Sequence, residues 1–249
     1  MQSPGPVAFS IFGIDIMWYG ILIASAMLLA VFICYRRAGS FGIDPENVLD
    51  LCLFIIPIGV VGARIYYIIF NYNLYSGDIG AMLNFRNGGL AIHGGLIAGL
   101  ITAFIICRKK NIIMLDMCDL VLPAVALAQS IGRWGNFFNS EAHGGPTDLP
   151  WAIVVNGQHV HPTFLYESIW CLLLFLFLSY MCRKRLFPGQ IACLYGILYS
   201  VERFFVEALR TDSLMIGPFR QAQVLSLSII VICAVLYRYL KKQHFSDER

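Results

Sequence analysis

The stretch Ile131 to Gly145, IGRWGNFFNSEAHGG, places Arg133, Asn136, Asn139, Glu141 and His143 where an apolar run meets polar sequence. A charged side chain deep in a transmembrane helix costs about 2.5 to 3.5 kcal/mol on insertion scales, so an arginine accompanied by carboxamides and a carboxylate needs a compensating reason. One reason is an arginine at a helix end that snorkels to the interface. The other is a site for an anionic lipid headgroup.

Working outward, the 249 residues are 58% hydrophobic and 13% charged, with a mean hydropathy of +0.70, which leaves too few charges to cover a soluble globule of this size. The composition predicts an all-α polytopic membrane protein, a single transmembrane domain over residues 1–249. No face gathers a basic stripe with interleaved aromatics, so nucleic acid is not an expected partner. The eight cysteines lie in or beside apolar runs without a CxxC pair, and read as small buried hydrophobes rather than a disulfide frame or a metal cluster. No Lys or Arg precedes Arg36, which disfavours a cleaved signal peptide and makes the first apolar run a retained span.

Runs long enough to cross a bilayer, roughly 20 residues, fall near Ile16 to Tyr35, Val48 to Phe70, Gly89 to Cys107, Met117 to Gly132, Phe164 to Cys182, Ile191 to Leu209 and Gln221 to Tyr239. The fourth is the shortest, interrupted by Pro123 and diluted by Gln129 and Ser130. Twelve of the 18 basic residues sit on alternate connections: Arg36 and Arg37, Arg108 to Lys110, Arg183 to Arg185, and Arg238, Lys241, Lys242 and Arg249. The positive-inside rule makes these connections cytoplasmic, with the N-terminus outside and the C-terminus inside. The other six, Arg64, Arg86, Arg133, Arg203, Arg210 and Arg220, are all arginines on the outer half, where the rule predicts a deficit. Arginine without lysine suits bidentate recognition of phosphate or carboxylate.

Asp44-Pro45 reads as an N-cap with proline at the first helical position. The outer loop Asn71 to Asn87 is polar, with a short interfacial helix expected around Gly80 to Phe85. The longest outer loop, Trp134 to Pro162, forms a small head or lid. Within it, Trp151 to Val155, Asn156-Gly157 and Gln158 to His161 read as a hairpin with a type I′ turn.

Several residues carry both a packing and a chemical reading. In GGLAIHGGLIAG, Gly88 to Gly99, Gly95 and Gly99 suit close helix packing, which leaves His93 unexplained. His93 is expected about five residues into its span, roughly 7.5 Å along a helix, where an imidazole could take a thiol proton or orient a substrate. Tyr195, Tyr199, Arg203, Glu207 and Arg210 follow one another at helical spacing. They form a self-contained Arg-Glu-Arg ladder, or a pair of arginines fixed by Glu207 towards the cavity that Arg133 faces, and both can hold together. Arg133 and Asn136 share a face if their helix persists that far. Tyr19, beside Trp18, suits an interfacial aromatic belt. Pro162 and Glu167 suit a helix start. Arg64 has no readable partner.

These residues bring a family into view. GRWGNFFNSE at Gly132 to Glu141 closely resembles the signature of the bacterial prolipoprotein diacylglyceryl transferases. The resemblance continues, in the family's order, through Trp18-Tyr19-Gly20, Gly62-Ala63-Arg64, His93-Gly94-Gly95-Leu96, His161-Pro162 with Leu165-Tyr166-Glu167, and Arg203-Phe204 with Val206-Glu207 and Arg210. Ala142-His143-Gly144-Gly145, after the signature, departs mildly from the pattern. The resemblance implies transfer of the diacylglyceryl group of phosphatidylglycerol to the lipobox cysteine of a preprolipoprotein, releasing sn-glycerol 1-phosphate, in the bacterial cytoplasmic membrane with the site towards the outer leaflet. It implies seven spans and no cofactor or metal. Its essential positions carry over as Tyr19, His93, Arg133, Asn136, Glu141, Gly144, Tyr199, Arg203 and Arg210. Glu207, Asn139, Arg64 and Glu167 then orient or support them.

Displacing a phosphate monoester from carbon by sulfur needs a thiolate, a neutralised leaving group and two substrates held in line, which arginines and positioning can supply. His93 and Glu141 compete for the role of base. A lipid scramblase would also place arginines at an outer headgroup site, but it makes no covalent product. A CDP-alcohol phosphotransferase needs more clustered aspartates than Asp116 and Asp119, and a zinc protease needs an HExxH that the chain lacks.

Overall fold

The computed structural model describes residues 1–75, 77–84, 88–211 and 213–247. Phe85 (the expected end of the short outer helix), Arg86 and Arg249 lie outside the described residues. The chain falls into two compact units, one of residues 1–34 and 118–249, the other of residues 35–117.

Every expected run becomes a long helix, with shifted ends. In order these are α1 (Trp18–Arg37), α2 (Pro45–Phe70), the short α3 (Ile79–Leu83), α4 (Ile92–Lys109), α5 (Met114–Phe138), α6 (Thr163–Cys182), α7 (Gln190–Leu209) and α8 (Gln221–Asp247). Six of them, all but α3 and α7, are long and apolar enough to cross a membrane. The α7 helix is 20 residues long but carries Glu202, Arg203 and Glu207. The helices present apolar side chains outward and polar ones inward. Leu28, Leu53 and Phe70 are exposed, whereas Arg64, Asp119, Glu167, Glu202 and Glu207 are buried. A multi-pass membrane protein in a lipid solvent has this arrangement.

Local chemistry accounts for the helix starts. Asp44 accepts a hydrogen bond from the Glu46 amide, with Pro45 opening α2, and Asp78 likewise caps α3 through the Ala81 amide. Pro162, which suited a helix start, stands at the N-cap of α6. The N-terminus of α7 borrows its cap from another helix. Asp119 of α5, fully buried, accepts from the Gly189 and Ala192 amides at 2.8 and 2.7 Å and pairs with Arg185 Nε at 3.1 Å.

The expectation for α5 needs the largest correction. It is neither short nor stopped by Pro123, which lies inside it, and it runs six residues past Gly132 to Phe138. Its aromatic end explains the extension. Phe137, with Trp134 and Phe138 beside it, packs on Ile153, Val155 and Val160 of a hairpin and on Phe164 of α6. That hairpin, β3 (Ile153–Val155) with β4 (Gln158–Val160), has the expected Asn156-Gly157 turn, both residues at positive φ. This small head is therefore clamped to the helix end by the motif's own aromatics.

Two other hairpins lay outside the sequence expectations: β1 (Val7–Ile11) with β2 (Ile14–Met17), and β5 (Met215–Ile216) with β6 (Phe219–Arg220). The first takes up residues assigned to the start of span one. In the unit of residues 35–117, α2 and α4 approach so closely that a Cβ on Gly62 would stand 2.3 Å from Ala98 Cβ, and one on Gly94 2.4 Å from the Gly62 carbonyl oxygen. Gly94, rather than Gly95 or Gly99, makes the tightest of these small-residue contacts.

Candidate active site

Glu167, on the first turns of α6, is the centre of a charge cluster built by three helices. Its side chain is 1% exposed, and its two oxygens meet two arginines: Arg133 Nε of α5 at 3.0 Å and Arg203 Nη1 of α7 at 2.9 Å. Arg203 Nη2 turns back to Glu207 Oε2, one helical turn on, at 2.8 Å. A buried carboxylate is tolerable when its oxygens are matched by cations, and a guanidinium gripped at two of its nitrogens has little freedom to rotate. The arginine side chains remain 21% and 23% exposed, so both can still present N–H groups to a ligand.

The helix does persist to Asn136, so Arg133 and Asn136 lie on successive turns of α5. Beyond its end the chain doubles back: the Asn136 and Asn139 side-chain amides both donate to Glu141 Oε1 at 3.1 Å. Ser140 and Ala142, on either side of Glu141, hold left-handed φ values of 53° and 55°, uncommon for residues with a Cβ. Glu141 is thus fixed by two carboxamides and a constrained backbone while its own side chain stays exposed.

Gly144 is a structural necessity. It forms a bridge with Arg210, and its amide donates to the His161 carbonyl at 3.0 Å. A Cβ there would stand 2.7 Å from His161 Cβ and 3.0 Å from the Leu209 carbonyl oxygen. Tyr19, in the first turn of α1, lies against Gly135 of α5, where a Cβ would meet its ring at 2.1 Å. Tyr199 stacks on Tyr195, with ring centroids 5.6 Å apart, and Tyr195 donates to Gln129 Oε1 at 2.9 Å.

Several expectations need correction. Arg210 does not share the helical face of Tyr199, Arg203 and Glu207. The α7 helix stops at Leu209, and Arg210 is extended, at φ −73° and ψ 147°. Glu207 pairs with Arg203 as their spacing allows, and Arg203 reaches in addition to Glu167 on another helix. Arg220 is a cap for α7: it donates to the carbonyl oxygens of Glu207 and Arg210. Arg64 has its guanidinium buried on the carbonyl oxygens of Ala81, Met82, Gly88 and Gly89, with Tyr75 5.0 Å away, all in the unit of residues 35–117. Arg64 and Arg220 therefore both hold backbone.

His93 belongs to that same unit. The α4 helix begins at Ile92, after Ala91 donates to the Ala63 carbonyl, so His93 sits in the first turn rather than five residues deep. It is exposed, with the Tyr66 ring 6.1 Å away.

The sequence reading missed Glu202, a buried carboxylate on α7 within electrostatic range of Arg133, Arg203 and Glu167. Its signal was available: it precedes Arg203 in an otherwise apolar run, where an acidic residue is costly.

Comparison with known proteins bears on what this cluster serves. The chain is 51% identical over 245 residues to the phosphatidylglycerol--prolipoprotein diacylglyceryl transferase of Finegoldia magna, covering 98% of this chain and 99% of the relative. It is 50% identical over 238 residues to the protein of the same name from Clostridioides difficile, covering 96% of each. The motif quoted at the outset, the clamp it builds and these full-length likenesses agree with a match spanning residues 6–239, and the chain belongs to the prolipoprotein diacylglyceryl transferase family.

Proposed function

We propose that this transferase moves the diacylglyceryl group of phosphatidylglycerol onto the lipobox cysteine thiol of a preprolipoprotein, the first step of lipoprotein maturation. The observation that carries the reading is the Arg133–Glu167–Arg203 clamp, two partly exposed guanidiniums fixed by one buried carboxylate. Phosphate is the ligand chemistry that such paired forks suit.

In the proposed reaction the thiol gives up its proton and the sulfur attacks the glycerol carbon that bears the phosphate. The carbon–oxygen bond breaks, its electron pair leaves with the phosphate oxygen, and the products are a thioether and sn-glycerol 1-phosphate. Arg133 and Arg203 bind the phosphate and offset the charge that grows on it, the electrostatic part of catalysis. Asn136, Tyr199, Gly144 and Arg210 shape the lipid site, and Tyr19 borders it. Glu207, Asn139 and Arg64 serve by support. Glu141 and His93 are the two candidates to take the thiol proton.

The chain works as one catalytic domain in the bacterial cytoplasmic membrane, N-terminus outside and C-terminus inside, with the clamp towards the outer leaflet. Basic-residue placement supports this orientation. The test is an assay with labelled phosphatidylglycerol and a lipobox peptide. Label should pass to the peptide with release of glycerol phosphate. Lipid movement across a vesicle without covalent product would instead identify a scramblase.

A further inference from the structure

Glu202 differs from the other carboxylates of the α5–α6–α7 cluster. Glu167 and Glu207 each meet an arginine. Glu202 is 5% exposed, and neither of its oxygens has a hydrogen-bond donor among the described residues. It is nevertheless close to the clamp, one turn from Tyr199, next to Arg203 in sequence, and within electrostatic range of Arg133, Arg203 and Glu167. Buried polar groups in folded proteins are matched with few exceptions, and leaving both oxygens of a carboxyl without a donor is costly. Such a group beside a ligand site points to a donor carried by the ligand.

We propose that Glu202 accepts the two hydroxyl groups of the glycerol headgroup of phosphatidylglycerol and so sets headgroup specificity; this rests on the transferase reading above. The relatives are named for phosphatidylglycerol, whose headgroup is a diol and not an ammonium. A lone thiol would supply one donor for two oxygens. A vicinal diol is neutral, carries two O–H donors for the two carboxylate oxygens, and is joined by a single carbon to the phosphate that the arginines take. One headgroup can therefore engage the carboxylate and the clamp together. A site built to bind hydroxyls also rejects an analogue lacking them, because its own polar groups are then left unmatched.

The test uses the full-length protein in detergent with a lipobox peptide and two lipids, phosphatidylglycerol and phosphatidylpropanol, whose headgroup keeps three carbons and lacks both hydroxyls. The wild type should prefer phosphatidylglycerol in kcat/KM by about tenfold or more, as loss of hydrogen bonds to a charged group implies. Glu202→Gln and Glu202→Met should each shrink that preference severalfold. Equal use of the two lipids by the wild type overturns the proposal, as does an unchanged preference in the variants whatever their absolute rates. If neither variant folds, phosphatidyl-1,3-propanediol, with one hydroxyl restored, decides on the wild type: recovery of part of the preference supports the proposal, and none overturns it. No transfer by the wild type from any of these lipids overturns the transferase reading instead.

Discussion

Arg203 donates from Nη1 to Glu167 at 2.9 Å, a contact between α7 and α6 that no spacing within one helix could produce. Because Glu167 also meets Arg133, the position of each guanidinium depends on the other through one buried carboxylate. Two arginines left alone at this separation would repel. With Glu167 between them, the phosphate of the proposed reaction would meet both guanidiniums already in place, which is the sense in which electrostatic preorganisation lowers a barrier.

Arg133→Lys and Arg203→Lys test the clamp. Each keeps a positive charge and loses the planar fork, so kcat/KM should fall by about 100-fold or more, a loss comparable to removing one preorganised donor. Thermal unfolding should shift little beside that loss. Near-normal turnover by both variants removes the phosphate-binding role.

Glu167→Gln separates stability from chemistry differently. The amide keeps shape and one acceptor oxygen but takes the paired counter-charge from partly buried Arg133 and leaves Arg203 with Glu207 alone, and breaking such a buried pair costs about 3 to 5 kcal/mol. A clear fall in unfolding temperature is expected together with loss of activity. In combination with Arg133→Leu the stability loss should be less than the sum of the two single losses, because the variants share one interaction. Additive losses would show that Glu167 does not couple to Arg133.

Gly144→Ala is expected to inactivate by geometry alone. The added methyl has His161 Cβ at 2.7 Å on one side and the Leu209 carbonyl oxygen at 3.0 Å on the other. One strand must move, and with it the Gly144–Arg210 bridge. The measurement is turnover against lipid concentration. A variant with wild-type kcat and KM would mean that the loop yields without disturbing Arg210.

The long helices were legible because lipid-facing helices are apolar along most of their length, and that signal needs no tertiary information. The Asn156-Gly157 hairpin was legible for a local reason, a turn that demands positive φ at both residues. What escaped depends on partners distant in sequence. The α5 helix passes Gly132 because Phe137 and Phe138 pack on a hairpin about 20 residues away, not because of its own propensity. The β1–β2 hairpin hid in apolar residues that read equally well as the start of a span. The clamp was half visible: Glu207 stands at i+4 from Arg203 and could be paired by spacing, whereas Glu167 reaches Arg203 across helices. Arg64 and Arg220 resembled ligand-binding arginines until their carbonyl partners were in view.

The proposed orientation rests on the placement of basic residues and is tested by labelling. Cysteine placed at Gln158, in the hairpin, should react with an impermeant thiol reagent in intact cells. Cysteine at Gln243, near the end of α8, should react only after permeabilisation, each against the unsubstituted background. The reverse pattern inverts the topology.

Two side chains are candidates to accept the thiol proton, and pH separates them. A cysteine thiol with a reference pKa of about 8.5 is only a few per cent thiolate at neutral pH, so at that pH a base contributes strongly, whereas near pH 9.5 most of the thiol ionises unaided. His93→Gln keeps polarity at the first turn of α4 but cannot accept a proton. If His93 is the base, the rate of the variant relative to wild type should rise steadily in single-turnover transfer from about pH 6.5 to about pH 9.5, with lipid binding unchanged. If Glu141 is the base, His93→Gln should give a flat ratio, and the rise should appear instead in Glu141→Gln. That substitution keeps one carbonyl oxygen, which can still accept from both Asn136 and Asn139 as Glu141 Oε1 does. A flat ratio in both variants would remove side-chain base catalysis from the mechanism and leave positioning and phosphate neutralisation to carry the rate.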